Sequence, residues 1–162
     1  MNYPKLQIAL YEPRIPQNTG NIARTCAAFN IPLNLIGPLG FSLDDKYLKR
    51  AGLDYWPLVQ LNLHTNYYQF QQTISTQSRI IAFSKLGNTQ LDSIQFIEGD
   101  ILLFGREDTG LPERISSNCH SICSIPMPGG QKQGKINGVR SLNLSSAVAI
   151  VLYQASHKLK LL

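Results

Sequence analysis

Three separated segments of the chain gather residue types suited to binding a nucleotide or steering a group transfer. The first, Glu12-Pro-Arg-Ile-Pro-Gln-Asn-Thr-Gly-Asn-Ile-Ala-Arg24, places Asn18 and Gly20 near an expected helix start, with Arg24 about one turn further in. Free amides at a helix N-terminus attract phosphate, and a guanidinium can add a bidentate contact. Taken alone, the segment favours a plainer reading, with Asn18 as a cap and Arg24 facing solvent, because capping residues are common at every helix start. The second segment, Phe104-Gly-Arg-Glu-Asp-Thr-Gly-Leu-Pro112, follows an apolar run directly. Gly105 removes the side chain at the strand end, where a flat ligand could approach the backbone, and Pro112 suits the first turn of a new helix. The third, Arg140-Ser-Leu-Asn-Leu-Ser145, enters an apolar terminal helix, with Ser141 as the expected cap and Asn143 supplying an amide. Tyr153 lies ten residues beyond Asn143, as an interface aromatic or a functional one.

Positioning such residues requires a scaffold, and the apolar pattern supplies one. Leu6 to Leu10 reads as a short buried strand, the stretch through Ile22, Cys26 and Phe29 as a helix, and Leu33 to Ile36 as a second strand. Two apolar runs joined by a helix make a βαβ crossover, and hence a parallel sheet with helices on its faces. A polar helix is expected from Asp44 to Arg50, strands at Arg79 to Phe83, Ile101 to Phe104 and Ser121 to Ile125, and a last helix from Ser141 to Ala155. In open α/β sheets ligands sit beyond the carboxyl ends of the strands, so chemistry is expected in the loops 84–87, 105–112 and 126–139. The last of these carries Gly129, Gly130, Gly134 and Gly138 with Lys132 and Lys135, as an RNA-contacting loop or a plain surface insertion. Within the final helix Ala147 to Leu152 is apolar on every side, which predicts burial all round and, in so small a domain, a homodimer interface.

Composition narrows the class. With 162 residues, 43% of them apolar and 15% charged, the chain fits one ordinary domain spanning residues 1–162 rather than a disordered segment. Fifteen Lys and Arg against ten Asp and Glu leave a net charge of +5, which favours a polyanionic partner. The cysteines Cys26, Cys119 and Cys123 are odd in number and form no CxxC pair, which argues against a disulfide framework and for a reducing compartment. No metal is expected, because Cys119, His120 and Cys123 lack a second cluster to complete four ligands. No stretch has the length of a membrane span and the start lacks an apolar leader core, so a cytoplasmic protein is expected. The absence of GxGxxG and P-loop fingerprints leaves little support for NAD or ATP binding.

Taken together, the segments resemble the three motifs of the SPOUT superfamily of methyltransferases. Asn18-Thr-Gly-Asn-Ile-Ala-Arg24 is similar to the first, Phe104 to Pro112 to the second, and Ile125-Pro-Met with Arg140 to Ser145 to the third. Gly40 to Tyr55 further resembles the segment of tRNA (cytidine/uridine-2′-O-)-methyltransferases that act at the wobble nucleotide. The stretch between Met127 and Arg140 is longer than in those enzymes. The resemblance implies a Rossmann-like α/β fold with a C-terminal trefoil knot, a homodimer, tRNA as substrate, and S-adenosyl-L-methionine as methyl donor. By the same resemblance, Phe83, Gly105, Ile125, Ser141 and Leu142 would line the cofactor site. Arg24, Asn143 and Tyr153 would serve catalysis. Asn18, Arg24, Lys46, Arg50 and Arg140 are the expected RNA contacts. A non-catalytic RNA-binding protein of this fold, or a methyltransferase for another tRNA or ribosomal RNA site, are the competing readings.

Overall fold

The computed structural model describes residues 3–52, 55–130 and 138–162. Among these residues seven strands form one sheet: β1 (Leu6–Tyr11), β2 (Leu33–Ile36), β3 (Leu61–His64), β4 (Ile80–Phe83), β5 (Thr89–Gln90), β6 (Asp100–Phe104) and β7 (Ser121–Ser124). Their spatial order is β3-β2-β1-β6-β4-β7-β5, and every pairing is parallel. Among the described residues five α-helices accompany them: α1 (Pro16–Ala28), α2 (Lys46–Gly52), α3 (Tyr67–Thr73), α4 (Glu113–Ser116) and α5 (Leu144–Lys158).

Alternation along the central strands feeds two cores. Leu6, Ile8 and Leu10 of β1 and Leu102 and Phe104 of β6 face a cluster completed by Ile22 and Cys26 of α1 and Val148, Val151 and Leu152 of α5. Ala9, Tyr11, Ile101 and Leu103 face the opposite cluster, completed by Phe70 of α3 and Ile115 of α4. Burial on both faces is what makes these strands mainly apolar in sequence, broken only by Gln7 in β1 and Asp100 at the start of β6.

Some expected elements shift. The polar helix expected over Asp44 to Arg50 begins at Lys46, because the Asp45 carboxylate accepts from the amides of Tyr47 and Leu48 and caps it. The last helix begins at Leu144 rather than Ser141. Its burial is one-sided: Val148, Val151, Leu152 and Ala155 are enclosed, whereas Ile150 is 42% and Tyr153 56% exposed. The expectation of burial all round is therefore not met within one chain.

At the right-hand side of the sheet, β7 lies between β4 and β5, so the link 84–88 must pass over the end of a strand that comes later in sequence. The crossing is close. A Cβ on Gly87 would lie 2.4 Å from the carbonyl carbon of Cys123, which leaves room for glycine alone.

His64, the last residue of β3, is buried against Phe70, with ring centroids 5.2 Å apart. Its Nε2 pairs with Asn34 Oδ1 at 3.0 Å, while Nδ1 finds no partner among the described residues. Protonation would put an unpaired donor in the interior, and burial accordingly lowers the pKa from its ordinary 6.5. The unfolded chain therefore takes up this proton first, so stability present above pH 6.5 is lost as the pH falls through that value. Denaturant midpoints measured from pH 8 to 5 should fall in wild type and stay flatter in His64→Gln; superimposable profiles would refute this role.

Candidate cofactor and RNA site

The start of α1 is held by a residue from a distant loop. Pro16 sets the first turn, Ile15 stands at the N-cap without a side-chain cap, and Asn18 is already inside the helix. The amides of Arg14 and Ile15 instead donate to the two carboxylate oxygens of Glu107, at 2.8 and 3.0 Å. A carboxylate suits the positive end of the helix dipole. Glu107 thus stands beside the terminus where a phosphate was expected, and Asn18, two residues inside the helix, is not its cap.

Asn18, 5% exposed, instead bridges. Its Nδ2 lies 3.5 Å from Glu107 Oε1, and its Oδ1 accepts from Asn143 Nδ2 at 3.0 Å. Asn143 Oδ1 in turn accepts from the amide and hydroxyl of Ser145, at 2.9 and 2.6 Å, and so caps α5. The cap is thus Asn143, not Ser141. One run of hydrogen bonds joins the three motif segments, across sequence separations of 89 and 125 residues.

Beside this junction opens a cavity of about 500 Å³, at the carboxyl ends of β4, β6 and β7. Phe83, Gly105, Ile125, Ser141 and Leu142 all line it, together with Asn18 and Asn143. At its base Phe83 and Phe104 stack with centroids 5.0 Å apart and planes 13° from parallel. Gly105 is needed for a reason other than ligand approach. Its Cβ would lie 2.3 Å from the carbonyl carbon of Gly110, because residues 105–111 double back tightly through the Arg106–Gly110 backbone pair. The rim is charged: Arg106 holds Asp108 through Nε and Nη2 at 2.9 and 2.8 Å and reaches Glu12 at 3.5 Å. The Arg106 guanidinium, the largest influence, keeps the Asp108 carboxyl well below the usual carboxylate range.

Five expected residues lie outside the cavity wall. Arg24 is nearly two turns beyond Asn18 on α1, exposed, with Nη2 donating to the Tyr55 hydroxyl at 3.2 Å and its guanidinium carbon 4.6 Å from that ring's centroid. Tyr153 projects from α5 and stacks on His157, 6.3 Å between centroids. Lys46 lies over the neighbouring Tyr47 ring, Arg50 sits in the last turn of α2, and Arg140 is exposed just before Ser141. Of the glycine-rich loop 126–139, Met127 lines the cavity, while residues 131–137, including Lys132, Gly134 and Lys135, lie outside the described residues.

Glu107, Arg106 and Met127 are functional candidates that the sequence reading left unassigned. Glu107 stood inside the second motif, but nothing local showed that it reaches α1. Among the described residues, no group of three His, Cys, Asp or Glu side chains could hold a metal ion. Burial pushes the Cys26 thiol up to about 12 and those of Cys119 and Cys123 to about 11, so none is poised as a nucleophile.

Residues 5–153 match the model of the SpoU rRNA Methylase family. A tRNA (cytidine(34)-2′-O)-methyltransferase from Methylovorus glucosotrophus is 42% identical over 151 residues, which cover 91% of this chain and 92% of the relative. A solved structure concerned with the 2-OH methylation of C/U34 on tRNA is 48% identical, covers 96% of both chains and superposes with a TM-score of 0.88. The SpoU methyltransferase AviRb from Streptomyces viridochromogenes, in complex with AdoMet, shares 20% identity and the fold, with a TM-score of 0.81 over 99% of this chain and 60% of its own.

Proposed function

The chain belongs to the SpoU rRNA Methylase family, and from that premise we propose that it transfers a methyl group from S-adenosylmethionine to the ribose 2′-hydroxyl of the wobble cytidine or uridine of tRNA. The observation that carries this reading is the junction of Glu107, Asn18 and Asn143, which ties three motif segments around one cavity. At about 500 Å³, with a lining that mixes the apolar Phe83, Phe104 and Ile125 with polar groups such as Asn18 and Ser141, that cavity suits a nucleoside-sized ligand. Phe83, Gly105, Ile125, Ser141 and Leu142 would hold adenosylmethionine there. The cofactor, when bound, supplies a methyl already activated by a sulfonium, so no metal is called for.

The protein's part is then placement. With adenosylmethionine held by these residues, its methyl would pass to a ribose 2′-oxygen brought in line, with adenosylhomocysteine as the leaving group and the hydroxyl proton released to solvent. Holding the two reactants in register accounts for much of such an acceleration. Arg24, an acceptor-free cation, orients RNA phosphate and stabilises the developing alkoxide rather than removing the proton.

In this reading residues 1–162 form one catalytic domain acting on tRNA in the cytoplasm, and the crossing of the link 84–88 over β7 belongs to a C-terminal trefoil knot. Two chains pair through the faces carrying Ile150 and Tyr153, where an exposed apolar stripe needs cover. Arg24, remote from the cavity of its own chain, then acts beside the cavity of its partner. Mapping 2′-O-methylated nucleotides in tRNA before and after incubation with the protein and labelled cofactor should show a new mark at the wobble position. A mark elsewhere, or none, would reject the assignment. Analytical ultracentrifugation should give a dimer, and Ile150→Asp a monomer.

A further inference from the structure

On the other side of the sheet from α1 and α5 lies a second cavity, of about 370 Å³, walled by Tyr11, Tyr67, Tyr68, Gln71, Arg114 and Asn118. It opens at the same edge as the cofactor cavity, since Tyr11 ends β1 as Phe83 and Phe104 end β4 and β6. Glu12 connects the two. It lines the second cavity while its carboxylate pairs with Arg106 in the wall of the first.

The second cavity combines a fixed frame with uncommitted recognition groups. Tyr11 is 3% exposed, meets Tyr67 edge-on at 6.4 Å, and accepts from Arg114 Nη2 at 3.2 Å. Burial is the main cause that pushes both phenols, Tyr11 and Tyr67, above their ordinary pKa, so the frame is uncharged at neutral pH. Against it stands Tyr68, 71% exposed, on a helix whose packing uses only Phe70 as a buried residue. Arg114 keeps donors beyond the one given to Tyr11, and Gln71 adds an amide at the rim, while Asn118 spends its Nδ2 on the Arg114 carbonyl at 2.8 Å and keeps its Oδ1 as an acceptor. An aromatic face, a guanidinium and neutral amides in one recess match a nucleobase with its phosphate: the face stacks, the cation takes the charge, and the amides meet the base edge.

We propose that this cavity is a second RNA subsite, holding one unstacked nucleobase of the tRNA against Tyr68 with its phosphate on Arg114, next to the nucleotide being methylated. The proposal rests on the tRNA reading above. It also separates duties, with the first cavity holding cofactor and the second holding RNA in register.

The test uses the full chain and an RNA hairpin with the sequence of a tRNA anticodon arm. Tyr68→Ala should weaken hairpin binding about tenfold by fluorescence anisotropy and raise KM for tRNA similarly, with the loss in KM rather than kcat. Tyr68→Phe should restore binding, since stacking needs the ring and not the hydroxyl. Adenosylhomocysteine affinity should be unaltered in both variants. Equal hairpin affinity in wild type and Tyr68→Ala, or no rescue by phenylalanine, would overturn the subsite, as would a wild type that does not bind the hairpin. Because anisotropy does not depend on turnover, a wild type that binds the hairpin but methylates no tRNA would sink the functional reading and leave the subsite to be judged on Tyr68 alone.

Discussion

Replacing Arg24 by alanine is expected to slow methyl transfer to tRNA by about 100- to 1,000-fold, the usual cost of deleting one preorganised charge-stabilising donor. Adenosylhomocysteine binding should hardly change, because Arg24 does not line the cofactor cavity. Its present partners are the hydroxyl and ring of Tyr55, which hold the guanidinium at the surface of α1. Single-turnover rates with saturating cofactor would measure the loss. A rate within a few-fold of wild type would remove Arg24 from the transfer step.

A comparable loss is expected from Gly105→Val by another route. Backbone atoms of Gly110 and Leu111 lie 2.3 and 2.4 Å from the place a Cβ would take, and backbone cannot swing aside as a side chain can. The turn 105–111 must open, which disrupts the Arg106–Gly110 pair and moves Glu107 off the start of α1. Overpacking of this kind costs about 1–3 kcal/mol, or roughly 2–12 °C in melting temperature for a domain this size. Calorimetry with adenosylhomocysteine should show at least a tenfold weaker Kd; unchanged affinity would mean that the turn does not shape the cofactor site.

The two variants together test how the site is assembled. If Arg24 serves the cavity of a second copy, a mixed dimer of Arg24→Ala and Gly105→Val chains contains one site with both features intact. Refolding the two inactive proteins together should then recover activity. If Arg24 serves its own chain, every site in the mixture is defective and none returns.

Legibility in the sequence followed burial. β1, β2, β4 and β6 are visible because central strands with two covered faces leave mainly apolar runs, whereas β7, Ser-Ile-Cys-Ser with only Cys123 buried, shows only as a short apolar stretch. β3, with Leu63 half exposed, and the two-residue β5 leave no such run, and α3 buries only Phe70. The helix start of α5 was misplaced by three residues because Ser141 and Asn143 are both good caps, and only the contact with Asn18 selects Asn143.

The same division applies to the site. From the sequence alone came the α/β class and the three polar segments at strand ends, because these are properties of contiguous stretches; the expected cofactor residues came through the resemblance of those segments to a known superfamily. The junction on which the site turns was not available there. That Glu107 holds the two residues leading into α1, that Asn18 is a bridge rather than a cap, that Gly105 answers to Gly110, and that Arg24 and Tyr153 stand apart from the cavity are facts of strand order. A parallel sheet ordered β3-β2-β1-β6-β4-β7-β5 brings residues 89 and 125 positions apart into hydrogen-bonding distance. No local propensity encodes such a pairing; packing of the whole sheet does.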